Sequence, residues 1–408
     1  MSKIIVIGAG ASGSMAAVTA AKRGNDVTVF EKNEKTGKKI YITGKGRCNF
    51  TNATDTEGLI RNTIRNPKFL YSAFSEFTSD DAISFFESNG CPAKVERGNR
   101  AFPQSDHSSD IISALNRAMK QAGVLIRYST TVSEIVVKGG HFTGIQTEDG
   151  SFVPGDAVII ATGGLSYKST GSTGDGYGFA RSLGHSVTDT RPSLVGMSVK
   201  EDFVRELEGL SLKNVNVTIK DGKKKLFDGF GEMLFTRNGV SGPLILTASS
   251  VAGDKIYKGG ADLFIDLKPA LSADELDARL VKDFTAFHAK EFKNSLDRLL
   301  PKSLIPVFVE QTGIDPMKKT GTLSRADRER ICSLLKKFPL TITALKGYDE
   351  AVITKGGVSV KEIDPHTMQS RLVSGVYFTG EVLDVDALTG GFNLQIAWST
   401  GYLAGMSV

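Results

Sequence analysis

The chain begins with an unbroken apolar run, Ile4 to Ile7, then Gly8-x-Gly10-x-x-Gly13, then an alanine-rich stretch from Ser14 to about Arg23. A β-branched run with no polar alternation predicts a strand buried on both faces, and the small residues after it predict a closely packed helix. Gly24-Asn25 ends that helix, and a second strand, Val27 to Phe30, leads into Glu31. Farther on, Phe69, Leu70, Phe74, Phe77, Ile83, Phe85 and Phe86 place one or two helices between Lys68 and Asn89, and a further amphipathic helix spans Ser108 to Ala122. Three turn-bounded strands follow, Thr131–Val137, His141–Glu148 and Ser151–Val153, the last passing a Pro-Gly turn into Asp156–Ala161. Turns at this spacing predict an antiparallel meander.

At Arg191-Pro192 the texture changes. Residues 191–270 carry short alternating runs that predict a small barrel or sandwich, with Ser241 and Pro243 at the start of an embedded helix. Residues 271–338 read as helical. Ser272-x-x-Glu275 and Ser324-x-x-Asp327 are placed as capping-box starts, and Phe284, Phe287, Phe292, Leu296 and Leu299 form an apolar stripe. Strand character returns from about 340. The chain closes on a strand from Val376 to Thr379, then Gly380-Glu381, Gly390-Gly391 and a helix from about Asn393.

With 408 residues, 40% hydrophobic and 23% charged, the chain has the balance of a globular protein of two or three domains. The net charge of +5 is spread along the chain; its densest run, Lys223-Lys224-Lys225, abuts a predicted hairpin turn at Asp221-Gly222. That reads as a solvated turn, so a nucleic-acid partner is not expected. Cys48, Cys91 and Cys332 are odd in number and far apart, which argues against a disulfide framework and fits a reducing compartment. There is no C-x-x-C pair and no H-E-x-x-H, so no metal site is indicated, and no apolar run is long enough to span a bilayer. Together these predict a cytoplasmic protein without a membrane partner.

The chemistry concentrates at the two ends. Strand, glycine turn, helix, strand and acid form the context that a dinucleotide-binding motif demands. Gly8 permits the tight turn, Gly10 lets backbone approach a pyrophosphate, Gly13 lets the helix pack on the sheet, and Glu31 accepts from ribose hydroxyls. A carboxylate at that position repels a 2′-phosphate, which disfavours NADP there and leaves NAD and FAD. Six residues later "GKKIYITGKGRCNFTN" begins. It is not a nucleoside-triphosphate loop: six residues separate Gly37 from Gly44-Lys45, and Gly46 stands where a hydroxyl would hold magnesium. Ile40, Tyr41, Ile42 and Phe50 give it apolar content to pack, so it is expected to line the cofactor pocket.

A parallel half-sheet, a meander and then "AVIIATGG" is the layout of the glutathione-reductase-type FAD domain. Taken with "GAGASG", "FTRNGVSGP" and "TGEVLDVDALTGGFNLQIAWSTG", the chain resembles over its whole length the aminoacetone-oxidase-like family of bacterial FAD-binding proteins, to which bile-acid enone reductases also belong. The resemblance implies an α/β, Rossmann-like FAD domain built from 1–190 plus 341–408. It also implies an inserted β-barrel-like domain over 191–270, with a returning strand near 338–346, and a small helical domain over 271–337. It carries FAD contacts to Gly8, Gly10, Ala11, Ser12, Gly13, Glu31, Lys32, Lys39, Gly44, Arg47, Cys48, Val132, Thr162, Gly163, Glu381, Gly391, Phe392 and Asn393. Arg47 and Cys48 are the catalytic candidates; Tyr167, His107 and Arg237 are more remote ones. No second nucleotide motif appears, so NAD(P)H would bind only transiently, and without a C-x4-C pair disulfide reduction is excluded. Two redox modes on a small organic substrate remain: amine oxidation with O2, and NAD(P)H-driven reduction of an activated double bond. The alternative is an RNA-associated flavoprotein using FAD structurally.

Overall fold

The computed structural model describes all residues, Met1–Val408, as two compact units: Met1–Ser193 with Tyr348–Val408, and Leu194–Gly347. In the first unit the apolar strands Lys3–Ile7, Asp26–Phe30, Leu125–Arg127, Ala157–Ile160 and Val376–Phe378 pair in parallel. The first strand lies central, between the strands from 26 and from 157. Its residues Ile4–Ile7 are buried, as an unalternated run should be. Val132–Lys138, His141–Thr147 and Phe152–Pro154 form the expected antiparallel meander.

Two helices fix the geometry of the sheet's upper edge. The helix Ala11–Lys22 follows the first strand, and the helix Phe392–Ser407 ends the chain. They run parallel in close contact because small residues face each other. A Cβ at Gly401 would lie 2.3 Å from the Ser12 carbonyl oxygen, and one at Gly405 would lie 2.6 Å from that of Ala16. Trp398, fully buried in the last helix, donates from its indole nitrogen to the Phe50 carbonyl at 2.8 Å. Gln395 accepts from Thr51 Oγ1 and donates to the carbonyls of Phe77 and Thr78. The bonds to Phe50 and Thr51 tie the Gly37–Asn52 segment to the last helix across more than 340 residues of sequence, those to Phe77 and Thr78 tie the 77–78 turn to it, and leaving any one of them unmade costs about 1–3 kcal/mol.

In the second unit, strands 197–199, 239–241, 224–236, 211–221, 261–266 and 338–345 close a barrel in that order. The helix Pro243–Gly259 belongs to the same unit, with Gly242, rather than Ser241, at its N-cap position. Capping boxes start the helices Ala273–Ala286 and Arg325–Lys336, on Ser272/Glu275 and Ser324/Asp327. Barrel and helices share one apolar core, running from Val217 and Ile265 through Leu280, Phe308 and Leu335. The 270/271 boundary drawn from the sequence therefore falls inside one unit, because Phe284, Phe292, Leu296 and Leu299 of the stripe pack into the same core as the barrel strands, while Phe287 stays outside it.

Candidate functional site

At the carboxyl edge of the parallel sheet the first unit opens into a cleft of about 1360 Å³, its mouth included. Open α/β sheets bind ligands at this edge. The wall is built by the glycine turn (Gly8, Gly10, Ala11, Ser12), the end of the second strand (Phe30, Glu31, Lys32, Asn33), the segment from Gly37 to Ile40 with Thr43, the 130–132 strand entry, and the 161–163 turn. Glu381, Val385, Asn393 and Leu394 supply the C-terminal side.

The three glycines of the motif have three different reasons. Gly8 has φ +103 and a Cβ there would lie 2.7 Å from the Ala161 carbonyl oxygen; a Cβ at Gly13 would lie 1.9 Å from the Gly8 carbonyl oxygen. Both are fixed by the fold. Gly10 is not: its φ of −81 and ψ of −163 suit any residue, and a Cβ would meet nothing within 4 Å. The empty space beside it is the cleft, and only a ligand pressed against the backbone would need glycine there.

Two helix N-termini open on this wall. Neither the helix after Gly10 nor the helix after Gly391 has a side-chain cap or an acid in its first turn. Their first N–H groups remain available to an anionic ligand. Glu31 is buried; its Oε2 accepts from the Ala9 amide at 2.7 Å, and its Oε1 from the amide and side chain of Asn33. The carboxylate thus holds the glycine turn against the second strand and keeps its orientation fixed. Lys39 Nζ lies 2.7 Å from Glu381 Oε2, while Glu381 Oε1 accepts from the Thr354 amide at 2.7 Å. Lys32 pairs with Asp175 at 2.6 Å. Both of these lysines on the wall are held by a carboxylate.

Of the expected contacts, Gly8, Gly10, Ala11, Ser12, Glu31, Lys32, Lys39, Val132, Thr162, Gly163, Glu381 and Asn393 line the cleft. The wall also includes residues that the sequence pattern did not single out: Asn33, Thr43, Thr130, Thr131, Ser172, Val385 and Leu394. Gly13, Gly44, Gly391 and Phe392 stand behind it. Gly391 backs onto the Thr51 backbone and Phe392 packs in the core. The Asn393 side chain points backward as well, accepting from the Ala387 amide and donating to the Ala387 and Leu388 carbonyls.

Neither catalytic candidate lines the cleft. Cys48 is fully buried among Met15, Ile40, Phe50 and Trp398, and burial pushes its thiol far above the ordinary range. Burial thus disfavours the thiolate, the reactive form of a cysteine. Arg47 lies off the cleft wall. Its Nε donates to Asp106 at 2.8 Å, its guanidinium bonds Glu96 and sits 4.2 Å from the Phe102 ring centroid, and those two carboxylates hold it charged. It clamps the turn at Thr43–Gly46, where Gly44 and Lys45 take left-handed backbone angles. His107 is the exposed N-cap position of the helix Ser108–Gln121, Tyr167 takes a left-handed turn conformation, and Arg237 is exposed in a turn of the barrel.

Comparison with known proteins places this architecture. The chain matches, over residues 2–407, the family described as "HI0933-like protein Rossmann domain". It belongs to that family. This HI0933-like protein is 34% identical to the 3-dehydro-bile acid delta(4,6)-reductase of Clostridium scindens, over 99% of this chain and 98% of the relative. It is 33% identical to the ribosomal RNA dihydrouridine synthase of Haemophilus influenzae, over 100% of this chain and 98% of the relative. Among solved structures it resembles 3-ketosteroid-delta4-(5alpha)-dehydrogenase from Rhodococcus jostii RHA1, with TM-score 0.53 and 16% identity, covering 100% of this chain and 96% of that one. That last likeness is one of fold. The bile-acid-reductase part of the expected resemblance is the part these relatives carry.

Proposed function

We propose that this HI0933-like protein is an FAD-dependent reductase of a carbon–carbon double bond conjugated to a carbonyl. The observation that carries the reading is the cleft itself: uncapped N-termini of two parallel helices open on it, and the glycine at the start of one of them, Gly10, has no internal reason to be glycine. The relatives supply the direction of the chemistry. A delta(4,6)-reductase and a dihydrouridine synthase both add two hydrogens across a C=C bond, although one is named for a bile acid and the other for RNA.

When bound, FAD supplies hydride transfer. The amides of the Gly8–Ser12 turn would hold its pyrophosphate, with the helix Ala11–Lys22 behind them. Glu31, pre-oriented by the Ala9 amide and Asn33, would accept from ribose hydroxyls, and the backbone at Val132 would meet the adenine. Lys39, Glu381 and the turn Thr162–Gly163 would bound the far half. The N–H groups of Phe392 and Asn393 would stabilise negative charge there, worth about 0.3–1 kcal/mol for an exposed helix end and more in a dry cleft. A reduced nicotinamide cofactor is the proposed electron source. In the net reaction hydride goes to one carbon of the double bond, a proton from solvent to the other, and the π bond is lost.

The test is a spectrum and a reductant screen. Purified protein should be yellow, and anaerobic NADH or NADPH should bleach it. A carbonyl-conjugated alkene should then restore the colour, consuming one equivalent per double bond. Bleaching by an amine with peroxide release, and none by a nicotinamide, would refute the reductase reading.

A further inference from the structure

Charge is not shared evenly between the two units. Residues 194–347 hold 25 of the 50 Lys and Arg but only 20 of the 45 Asp and Glu, so the remainder of the chain is neutral and this unit carries the whole +5. Within it, two segments are fixed side by side. The Phe292 amide donates to the Lys318 carbonyl at 2.9 Å, Lys293 to Pro316 at 3.1 Å, Thr320 to Lys290 at 3.0 Å and Gly321 to His288 at 3.0 Å. Glu291 and Lys319 form a bridge between them. Residues 282–302 and 316–319 together bear seven cations against three carboxylates.

Lys290 Nζ sits 4.3 Å and Arg298 Cζ 4.7 Å from the ring centroid of Phe287. The ring is anchored where the helix Ala273–Ala286 ends, and the Thr320 hydroxyl donates to the Phe287 carbonyl at 2.7 Å. His288, Lys290, Lys293, Lys302 and Lys319 are exposed around it. Of the carboxylates, Glu291 is shared by Lys293 at 3.4 Å and Lys319 at 3.7 Å, buried Asp283 pairs with Arg279 at 2.8 Å and reaches Arg298 at 3.7 Å, and Asp297 is exposed beside Arg298. Lys318 is paired with Asp327 at 2.7 Å. Lys290, Lys293, Arg298 and Lys319 still outnumber Glu291 and Asp297, which leaves a net positive strip. Aromatic stacking holds two of its cations extended, which reduces the entropy lost when they meet a phosphate. The other basic run, Lys223–Lys225, has no such order: it is a hairpin turn flanked by Asp221 and Asp228, which pair with Lys255 and Lys225.

We propose that this ribbon, Phe287–Arg298 with Pro316–Lys319, docks the sugar-phosphate backbone of RNA. The inference rests on the reductase reading above and narrows its substrate to a double bond carried on RNA, as the name of the H. influenzae relative says of that protein. Fixed cations with an interleaved ring fit a polyanion better than a neutral sterol or a free enone.

The test uses the full-length, FAD-loaded, oxidised protein and a fluorescein-labelled single-stranded RNA containing uridine, read by anisotropy across a salt series. Binding is expected to fall with salt. The Lys290→Glu/Arg298→Glu/Lys319→Glu variant should weaken it at least tenfold and flatten the log–log salt slope by about 2, at about 0.7 for each phosphate no longer neutralised. Phe287→Leu should weaken it several-fold, while Lys223→Glu/Lys224→Glu should leave it within twofold. Parent-like circular dichroism and thermal unfolding of each variant certify the fold of the second unit. Salt-independent binding by the parent, parent-like binding by the triple variant, or an equal loss in the Lys223/Lys224 variant would each overturn the ribbon. Because no turnover is measured, such a failure leaves the reductase reading to its own nicotinamide test.

Discussion

Replacing Gly401 by alanine probes the contact that brings the two cleft-facing helices together. A Cβ there would lie 2.3 Å from the Ser12 carbonyl oxygen, and ordinary contact begins near 3.4 Å, so about 1.1 Å must be found. The neighbour is backbone within a helix and has no rotamer to change. Overpacking of this kind costs about 1–3 kcal/mol, against a gain of about 1 kcal/mol for alanine over glycine in a helix. With an unyielding neighbour the upper end applies, for a net loss of about 1–2 kcal/mol. Gly178 is the control: it also lies inside a helix, Asp175–Ser182, but its Cβ would meet nothing within 4 Å. Gly178→Ala should raise stability by about 0.5–1 kcal/mol. The assay is thermal and urea unfolding of both variants beside the parent. Gly401→Ala should also weaken FAD binding, because Ser12 lines the cleft and must move. If Gly401→Ala stabilised the protein as Gly178→Ala does, the close approach of the two helices would be refuted.

Cys48 and Cys91 should resist thiol reagents in the folded protein and react only on unfolding, since burial pushes Cys91 up to about 11 and Cys48 higher still; rapid labelling of the native state would contradict this. His185, buried between Glu362 and Ser370 at 3.1 and 2.7 Å, has its pKa lowered by desolvation. The unfolded chain then binds more protons at mildly acid pH, so this group's contribution is intact above about pH 6.5 and is lost as pH falls below it. His185→Gln should flatten the stability slope between about pH 7 and 5, and an unchanged slope would count against the assignment. Arg47→Lys should loosen the Thr43–Gly46 turn, seen as faster tryptic cleavage at Lys45, because lysine lacks the fork that reaches Glu96 and Asp106 together. Cleavage at the parental rate would remove its role as a clamp.

The N-terminal motif was legible because each of its demands is local: a β-branched strand, three glycines at fixed offsets and an acid ending the next strand. The Gly37–Asn52 segment was legible only as a whole. Composition placed it at the cleft, and Gly37, Lys38, Lys39, Ile40 and Thr43 do line it. Which side chains turn inward depends on the left-handed residues Gly44, Lys45, Gly46 and Cys48. Those rotations send Cys48 into the core and Arg47 toward Glu96, about fifty residues away. Barrel closure was harder, since the closing strand Phe338–Leu345 arrives after three intervening helices. Ser241 lost the cap to Gly242 because the chain needs φ +94 there, with the Leu234 amide 3.0 Å from any Cβ. The shared core of barrel and helices left no sequence signal, because an apolar stripe does not name its partner.

The central claim is that the cleft holds FAD against the Gly10 backbone. Its most direct test is an FAD titration of the Gly10→Ala apoprotein beside the parent, with unfolding measured on both ligand-free forms. Since a Cβ at Gly10 meets no protein atom within 4 Å and Gly10 is the N-cap of its helix, the account predicts apoprotein stability lowered by no more than about 1 kcal/mol, the N-cap preference of glycine over alanine, and FAD affinity reduced at least tenfold. Undiminished FAD binding by Gly10→Ala, or no FAD binding by the parent, would contradict it.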